Sequence, residues 1–295
     1  MITIIGASGQ VGSKIATTLL DAGRYVRVLG RTAESLNNLG ERGADIRVGN
    51  VADTPWLTET LRDSDAVFAM VPSNPFAEYY GAEQDRLGES IAEALTASAV
   101  PTVVALSSLG ADRPDAPGVI GALHRQELRL AKLSARVALL RPVSFFENLL
   151  VAVEQLEESG SHVDSVEADV PIPMIATADV AAAAARMLTD RQWTGHVGVD
   201  LLGERDLSYD EATAILGDRL GIDDPSYVQL AYDAMIDAFT ELGFSLDYAR
   251  HYVDMTRAFN SGELTDGVPR TVANTTPTRI EDFASSLRTH HERAL

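Results

Sequence analysis

The chain of 295 residues contains no cysteine, which excludes disulfide bonds, thiolate nucleophiles and cysteine-ligated metal sites. Lysine is scarce and occurs only at Lys14 and Lys132. No apolar run approaches the roughly 18 residues that a membrane-spanning helix needs. The sequence therefore predicts a soluble protein that does not associate with a membrane.

Positive charge is also scarce, with 24 lysines and arginines against 43 acidic residues and a net charge of -19. This balance disfavours direct binding to nucleic acid, because a polyanion would be repelled and no basic cluster offsets the repulsion. Backbone amides at a helix start, or an isolated arginine, would have to hold any phosphate-bearing ligand. The first apolar run starts at Ile2, which leaves no room for a signal peptide, and we expect a cytoplasmic protein.

Short apolar runs alternate with helical patterns through the first half of the chain. Nearly continuous apolar runs are typical of strands that are buried on both faces of a parallel sheet. Six such strands are predicted, at Ile2 to Ile5, Tyr25 to Leu29, Ile46 to Val48, Ala66 to Val71, Thr102 to Leu106 and Val137 to Leu140. Right-handed crossovers then favour a doubly wound sheet with ligands at the carboxyl ends of its strands.

The alternation loosens after about residue 150. An alanine-rich helix follows a proline-punctuated loop, with Thr177 or Asp179 as its predicted cap, and "HVGVDLLG" predicts a seventh strand. Helical segments make up most of the remainder. We therefore expect an α/β fold: a Rossmann-type doubly wound parallel sheet over residues 1–150, and a smaller, mostly helical C-terminal substrate lobe over residues 151–295. One or more strands of this lobe would return to the main sheet.

The sequence "GASGQVG" joins the first strand to a helix and predicts a dinucleotide-binding turn. Gly6 allows the tight turn, Gly9 lets the backbone approach a pyrophosphate, and Gly12 lets the helix lie close to the sheet. The helix start would direct free amides at the phosphates. The predicted cofactor-binding residues of this turn are Gly6, Ser8, Gly9, Gln10, Val11 and Gly12.

The second strand ends in "RVLGRT", where an NAD-preferring site would usually carry an acidic residue for the ribose hydroxyls. Arg31 stands there instead, 19 residues beyond Gly12. An arginine at this position can pair with the 2′-phosphate of NADP, with Thr32 and Ser35 as nearby hydroxyl donors. The sequence therefore predicts NADP as the cofactor, with NADPH preferred over NADH.

Six sequence segments resemble the NmrA-like branch of the atypical short-chain dehydrogenases/reductases, which includes the type 2 NAD(P)H:quinone oxidoreductases. The segments are "MITIIGASGQVGSK", "VLGR", "GADIRVGNVAD", "AVFAMVP", "VVALSSLGAD" and "LLRPVSFFENLL". The resemblance implies a Rossmann domain with an NADP-type cofactor. Members of this branch either reduce quinones or report the NADP/NADPH state to protein partners.

The resemblance also implies cofactor contacts at the carboxyl ends of the later strands. Asn50 and Val51 would flank the adenine, and Met70, Val71 and Pro72 would line the ribose side. Ser108 would stand near the substrate as a catalytic hydroxyl, with Ser107 on the cofactor side. Near the nicotinamide, the sixth strand would end with Arg141, Pro142 and Val143.

The Tyr-x-x-x-Lys pair with which the wider superfamily reduces carbonyls is absent. In "GVIGALHRQELRLAKL", Ile120 stands in the tyrosine position and His124 in the lysine position. Quinone reduction tolerates this loss better, because its product is a stabilised phenolate that can take a proton from solvent. His124 is the candidate proton donor of this helix, and a hydrogen-bonded surface imidazole is the alternative.

Aromatic residues suggest where an acceptor would bind. Tyr79 and Tyr80 would lean over the nicotinamide pocket, and Phe145 and Phe146 would wall it; packing between the two lobes is the alternative for both pairs. No metal site is predicted, since we expect the adjacent His290 and His291 to point in different directions.

The sequence thus favours an NAD(P)H-dependent oxidoreductase acting on a small-molecule acceptor such as a quinone. An NADP(H) sensor and a biosynthetic reductase or isomerase of narrow specificity stay open as alternatives. A homodimer or a protein partner is also left open.

Overall fold

The computed structural model describes residues 1–287. The strands of this region are β1 (Ile2–Ile5), β2 (Val26–Gly30), β3 (Asp45–Val48), β4 (Ala66–Ala69), β5 (Thr102–Leu106), β6 (Arg136–Pro142), β7 (Ser161–Asp164), β8 (His196–Leu201) and β9 (Ser226–Gln229). The helices are α1 (Gln10–Asp21), α2 (Asn37–Glu41), α3 (Thr54–Leu61), α4 (Tyr80–Ala97), α5 (Gly118–Leu130), α6 (Leu150–Ser159), α7 (Thr177–Asp190), α8 (Tyr209–Leu220), α9 (Tyr232–Glu241), α10 (Leu246–Asn260) and α11 (Ile280–Ser286).

Seven strands form one parallel sheet in the order β3-β2-β1-β4-β5-β6-β8. The strand order reverses beside β1, whose Ile2 pairs with Val26 of β2 on one side and Ala66 of β4 on the other. Such a reversal opens a crevice at the carboxyl ends of the two strands that flank it. The predicted doubly wound sheet is confirmed, and the crevice lies where the glycine turn leaves β1.

Helices cover both faces of this sheet. Successive side chains of a strand point to opposite faces, so each central strand contributes to two cores. Ile4 and Phe68 face a core that α1 and α7 close, whereas Ile5 and Val67 face a core that α3, α4 and α5 close. The strands predicted as continuous apolar runs are therefore those that pack on two sides. Their predicted ends lie within two residues of the observed ends, and β4 stops at Ala69 rather than Val71.

The segment from α7 to β8 belongs to the sheet layer, although it follows residue 150. Helix α7 packs against α1, and β8 pairs with β6 at the edge of the sheet. The predicted cap of α7 is wrong: Ala176 occupies the N-cap position, and Asp179 accepts hydrogen bonds from Thr278. The division at residue 150 stays a prediction.

The other elements after residue 150 surround a separate apolar cluster. Leu156 of α6, Leu216 of α8, Phe259 of α10 and Ile280 of α11 pack together there. Beside them β7 and β9 form a small parallel sheet, in which Ser161 pairs with Ser226. Sequence patterns do not predict these two strands, since both are short and carry polar side chains.

Candidate functional site

The glycine turn between β1 and α1 has the backbone geometry that dinucleotide-binding turns require. Gly6 has φ +76°, a left-handed conformation that favours glycine. A Cβ on Gly12 would lie 2.2 Å from the carbonyl oxygen of Gly6, so only glycine allows α1 to approach the strand this closely. These features fit the roles predicted for Gly6 and Gly12, and Gly9 closes the turn by donating its N–H to the Gly6 oxygen at 3.0 Å.

The start of α1 is open to an anion. The first amides of a helix have no carbonyl partner within it, and no acidic residue lies in the first turn of α1. The N-cap residue is Gly9, which offers no side chain to occupy those amides. The turn therefore fits a pyrophosphate held by the amides around Gln10 and Val11, with the helix dipole adding to the attraction.

Arg31 follows β2 beside this turn and is exposed. Among residues 1–287 its guanidinium forms no hydrogen bond or ion pair, whereas Thr32 and Ser35 bond to each other at 3.2 Å. Asn50 and Val51 follow the neighbouring strand β3, where the Asn50 side chain accepts the N–H of Ala52 at 3.0 Å. The structure thus leaves a free cation at the edge where the ribose was predicted.

Met70, Val71 and Pro72 follow β4 on the other side of the turn. Met70 packs on Gly6, since a Cβ there would lie 2.4 Å from its Sδ. The carbonyl oxygen of Pro72 accepts a hydrogen bond from the Gln84 side chain at 2.8 Å. The predicted ribose-side residues therefore line the crevice at which the strand order reverses.

At the ends of β5 and β6, two predicted cofactor residues share one carboxylate. Ser107 donates to Glu127 at 2.5 Å, and Arg141 forms a two-pronged ion pair with Glu127 at 2.9 and 2.6 Å. This pairing raises the pKa of Arg141. The polar side chains of Ser107 and Arg141 are thus already engaged, and their cofactor roles stay predictions, as does that of Pro142.

The two candidate catalytic residues lie in different surroundings. His124 donates from Nδ1 to the carbonyl oxygen of Ala111 at 2.8 Å. It does not line the large cavity that begins at the ends of β5 and β6. Ser108 does line it, together with Ile120 and Val143. The His124 contact matches the alternative of a hydrogen-bonded helix histidine. Catalytic roles for His124 and Ser108 stay predictions.

A cavity of about 700 Å³ begins at these strand ends and extends under the second half of the chain. Its wall is mostly apolar and combines aliphatic side chains with eight aromatic ones, which come from α4, α8, α9, α10 and the segments between them. The aromatic lining residues are Tyr80, Phe145, Tyr209, Phe239, Phe244, Tyr248, Tyr252 and Phe259. Aromatic walls of this kind bind flat, conjugated molecules through stacking and edge contacts.

One buried carboxylate lies in this wall. Asp164, at the end of β7, accepts the Tyr252 hydroxyl at 2.8 Å and the backbone N–H groups of Ser165 and Val166 at 2.6 and 3.2 Å. Burial raises the pKa of Asp164, and burial beside that carboxylate raises the pKa of Tyr252 well above its usual range. The three donors satisfy the carboxyl oxygens, so that this part of the cavity wall contains a buried acidic side chain with no cation beside it.

The cavity wall contains no lysine or arginine among the described residues. Burial lowers the pKa of His162 to about 4, so this lining histidine is neutral at pH 7. A second carboxylate, Glu147, lines the wall and lies 3.3 Å from Lys14 of α1. No positively charged side chain of the described wall would therefore attract an anionic substrate.

Of the four aromatic residues that were predicted to contact the acceptor, two line the cavity and two lie elsewhere. Tyr80 lines the cavity and meets Tyr248 edge-on with ring centroids 5.1 Å apart, and Phe145 also lines it. Tyr79 is 68% exposed, and Phe146 is buried against Phe283 in the second apolar cluster. Substrate roles for all four stay predictions, but the cavity contains only Tyr80 and Phe145.

Several cavity residues come from α10 and were missed by sequence reasoning. Tyr248, Tyr252, Met255 and Phe259 recur at spacings of four, three and four residues, which places them on one helix face. That periodicity signals an apolar face, but it does not distinguish a face that lines a cavity from one that packs in a core.

No group of three potential metal ligands occurs within residues 1–287, and His290 and His291 lie outside the described residues. None of the helices that the structure describes is long and apolar enough to cross a membrane.

A sequence profile of the NAD(P)H-binding family matches residues 6–191, which contain the turn, Arg31 and strands β2 to β6 of the main sheet. The chain belongs to the NAD(P)H-binding family. A family relative in Streptomyces griseus, (4-alkanoyl-5-oxo-2,5-dihydrofuran-3-yl)methyl phosphate reductase, is 33% identical over 75% of this chain and 74% of its own length. The NAD(P)H azoreductase of Xenophilus azovorans is 25% identical over 98% of each chain.

The NADPH-dependent quinone oxidoreductase of Escherichia coli shares the fold. Its crystal structure matches with a TM-score of 0.79 and 22% identity, over 97% of this chain and 98% of that chain. The predicted resemblance to the NmrA-like reductases is thereby confirmed. The prediction of an NAD(P)H-dependent oxidoreductase is confirmed as well.

Proposed function

We propose that this protein is an NADPH-preferring reductase that transfers hydride directly to uncharged conjugated acceptors such as quinones. One observation carries the proposal: the nucleotide-binding turn and the aromatic cavity open at the same edge of the sheet. Gly6 follows β1 at that edge, and the lining residues Ser108 and Val143 follow β5 and β6. A cofactor held by the turn and an acceptor held by the aromatic wall would therefore be neighbours.

The preference for NADPH rests on Arg31. The turn fits a pyrophosphate without needing any charged side chain, so the turn alone does not discriminate between NAD and NADP. Arg31 adds an exposed guanidinium beside it, and among residues 1–287 no carboxylate neutralises that group. A free guanidinium forms strong, charge-assisted hydrogen bonds with a phosphate and little of comparable strength with a ribose hydroxyl.

The acceptor class follows from the cavity wall. Aromatic side chains favour a flat conjugated molecule, and the two lining carboxylates, Asp164 and Glu147, disfavour a negative charge. The named relatives reduce a phosphate ester, an azo compound and a quinone. Because no lysine or arginine lines the described wall, we favour the uncharged acceptors over the phosphate ester.

A bound nicotinamide would supply the hydride, and the chain would contribute binding and orientation. The aromatic wall would stack the acceptor and keep water from it, while Ser108 at the end of β5 offers a hydroxyl at the sheet edge. The product of quinone reduction is a stabilised phenolate, which needs no Tyr-x-x-x-Lys pair to receive its proton. The hydrophobic Ile120 in the tyrosine position is compatible with that chemistry.

Loss of NADPH absorbance tests the proposal. Purified protein should oxidise NADPH with 1,4-naphthoquinone and do so much more slowly with 1,4-naphthoquinone-2-sulfonate, which has the same ring with a negative charge. Asp164→Asn should narrow the ratio of the two kcat/KM values, because it removes the buried acidic group. Glu154→Gln, which changes an exposed carboxylate of the neighbouring helix α6, is the matched control.

Two outcomes would contradict the proposal. Binding of NADPH without turnover of any quinone, enone or azo compound would favour the NADP(H) sensor instead. Equal turnover of the neutral and the sulfonated quinone would refute the assignment of an uncharged acceptor.

A further inference from the structure

The aromatic cavity reaches the protein surface at apolar side chains. Leu242, the C-cap residue of α9, lines the cavity and is 71% exposed. Phe244 also lines it and lies with its ring centroid 5.1 Å from that of Phe76, which is 61% exposed. We call Phe76, Leu242 and Phe244 the apolar rim. The cavity therefore continues outward into exposed apolar surface.

The apolar rim is a built feature of the fold. The backbone N–H of Ser245 donates to the carbonyl oxygen of Pro75 at 2.9 Å, which fastens the α9–α10 connection to the loop that carries Phe76. The Asp247 side chain accepts the N–H of Gly81 at 3.1 Å and joins α10 to α4. Phe239 packs on Phe244 with centroids 5.2 Å apart and connects the rim to the inner wall.

The polarity of the wall changes from its inner end to its outer end. The carboxylate of Asp164 and the hydroxyl of Tyr252 bond to each other at the inner end, whereas Phe76, Leu242 and Phe244 at the outer end have no polar side-chain atom. A ligand that fits both ends would have a flat conjugated head and an apolar substituent that projects toward solvent. Exposed apolar patches that continue from a binding site usually mark such contacts.

We propose that the apolar rim binds a hydrocarbon substituent of the acceptor, so that the physiological substrate is a conjugated ring with an alkyl or similar chain. The inference rests on the proposed function, since the cavity is the acceptor site in both. Each methylene group that leaves water for the rim strengthens binding, up to the length at which the chain passes Phe76. The rim thus determines specificity by chain length and has no part in hydride transfer.

A series of 2-alkyl-1,4-benzoquinones, from methyl to hexyl, tests this in the full-length protein with NADPH. In the wild type, kcat/KM should rise about two- to fourfold for each added methylene. The ratio of the hexyl to the methyl value should fall at least about fivefold in Phe76→Ser and in Leu242→Ser. Leu128→Ser, an exposed leucine of α5 outside the cavity, is the matched control and should keep the wild-type ratio.

A binding measurement separates this inference from the proposed function. Calorimetric titration of the NADPH-bound protein with 4-methylphenol through 4-hexylphenol reports the chain-length effect without any turnover. If affinity rises with chain length and this rise is lost in Phe76→Ser, the result would support binding of the alkyl chain at the rim, even if no quinone were reduced. A wild-type affinity independent of chain length would overturn it, as would an unchanged slope in both rim variants. Sedimentation measures whether the protein is a dimer. Wild-type dimers that are lost in Leu242→Ser would show that a second copy of the chain covers the rim, which would likewise overturn the proposal.

Discussion

At the scale of single residues, the two ends of the site differ in their ionisable side chain: one has no partner and the other has several. Arg31 is exposed and forms no ion pair within residues 1–287, whereas Asp164 is buried and holds three hydrogen-bond donors. The first arrangement leaves a cation for an anionic ligand group. In the second arrangement the protein itself supplies the donors for the carboxyl group, so a ligand would not need to bond to it. In the proposed function, Arg31 selects the cofactor by its charge, and Asp164 disfavours anionic acceptors.

Arg31→Ala should weaken NADPH binding by about 1.5–3 kcal/mol, because charge-assisted hydrogen bonds to the 2′-phosphate are lost. NADH binding should hardly change, since NADH lacks that phosphate. Fluorescence titration of the reduced nicotinamide measures both affinities. Arg24→Ala, which removes an exposed arginine just before β2 at the opposite end of that strand, is the control. An equal loss for NADH and NADPH would refute the 2′-phosphate assignment.

At the scale of elements, the sheet was predictable because its strands are buried on both faces and so appear as uninterrupted apolar runs. The small β7–β9 sheet was not, since "SHVD" and "SYVQ" carry polar residues and are too short to show a period. The glycine turn and Arg31 could be placed from local sequence. The cavity could not, because β7, α9 and α10 are brought to the strand ends only by tertiary packing.

Helix α1 depends on the absence of a side chain at Gly12. In Gly12→Ala the new Cβ would lie 2.2 Å from the Gly6 carbonyl oxygen, which forces the helix away from the turn. The variant should lose about 1–3 kcal/mol of unfolding free energy, as overpacked sites do. It should also bind NADPH more weakly, since the amides of the turn shift with the helix. Urea unfolding and cofactor titration measure the two effects.

Ser13→Ala changes the next position of α1 and is the appropriate control. Its hydroxyl makes only a 3.5 Å contact with the Gln10 carbonyl oxygen, so stability and NADPH affinity should stay close to wild type. If Gly12→Ala behaved like Ser13→Ala, the close approach of helix and turn would not matter for the site.

For the whole molecule, His162 should make stability depend on pH. Burial lowers the pKa of His162 to about 4, and its ring lies against Tyr209 and Tyr227 with centroids 5.4 and 5.0 Å away. In the unfolded chain a histidine titrates near 6.5, so below that pH the unfolded state binds a proton that the folded state does not. The contribution is therefore fully present above pH 6.5 and is lost progressively as the pH falls toward 4.

Between pH 7 and pH 5 this histidine should account for about 2 kcal/mol of the decrease in unfolding free energy. His162→Gln removes the titration and should make the decrease smaller by that amount, measured by urea unfolding at both pH values. His196→Gln, an exposed histidine, should show the wild-type decrease. The same pH dependence in His162→Gln and the wild type would contradict the prediction.

The return of α7 and β8 to the main sheet has a consequence for synthesis on the ribosome. A nascent chain that has emerged only to residue 150 already contains six strands of the sheet, but α7 is still to come. The sheet face around Phe68 and Val104, which α7 helps to cover, would then be exposed to other nascent chains and to chaperones. The seven-stranded sheet thus cannot be completed until Leu201 has left the exit tunnel, and slow translation between these points would prolong that exposure.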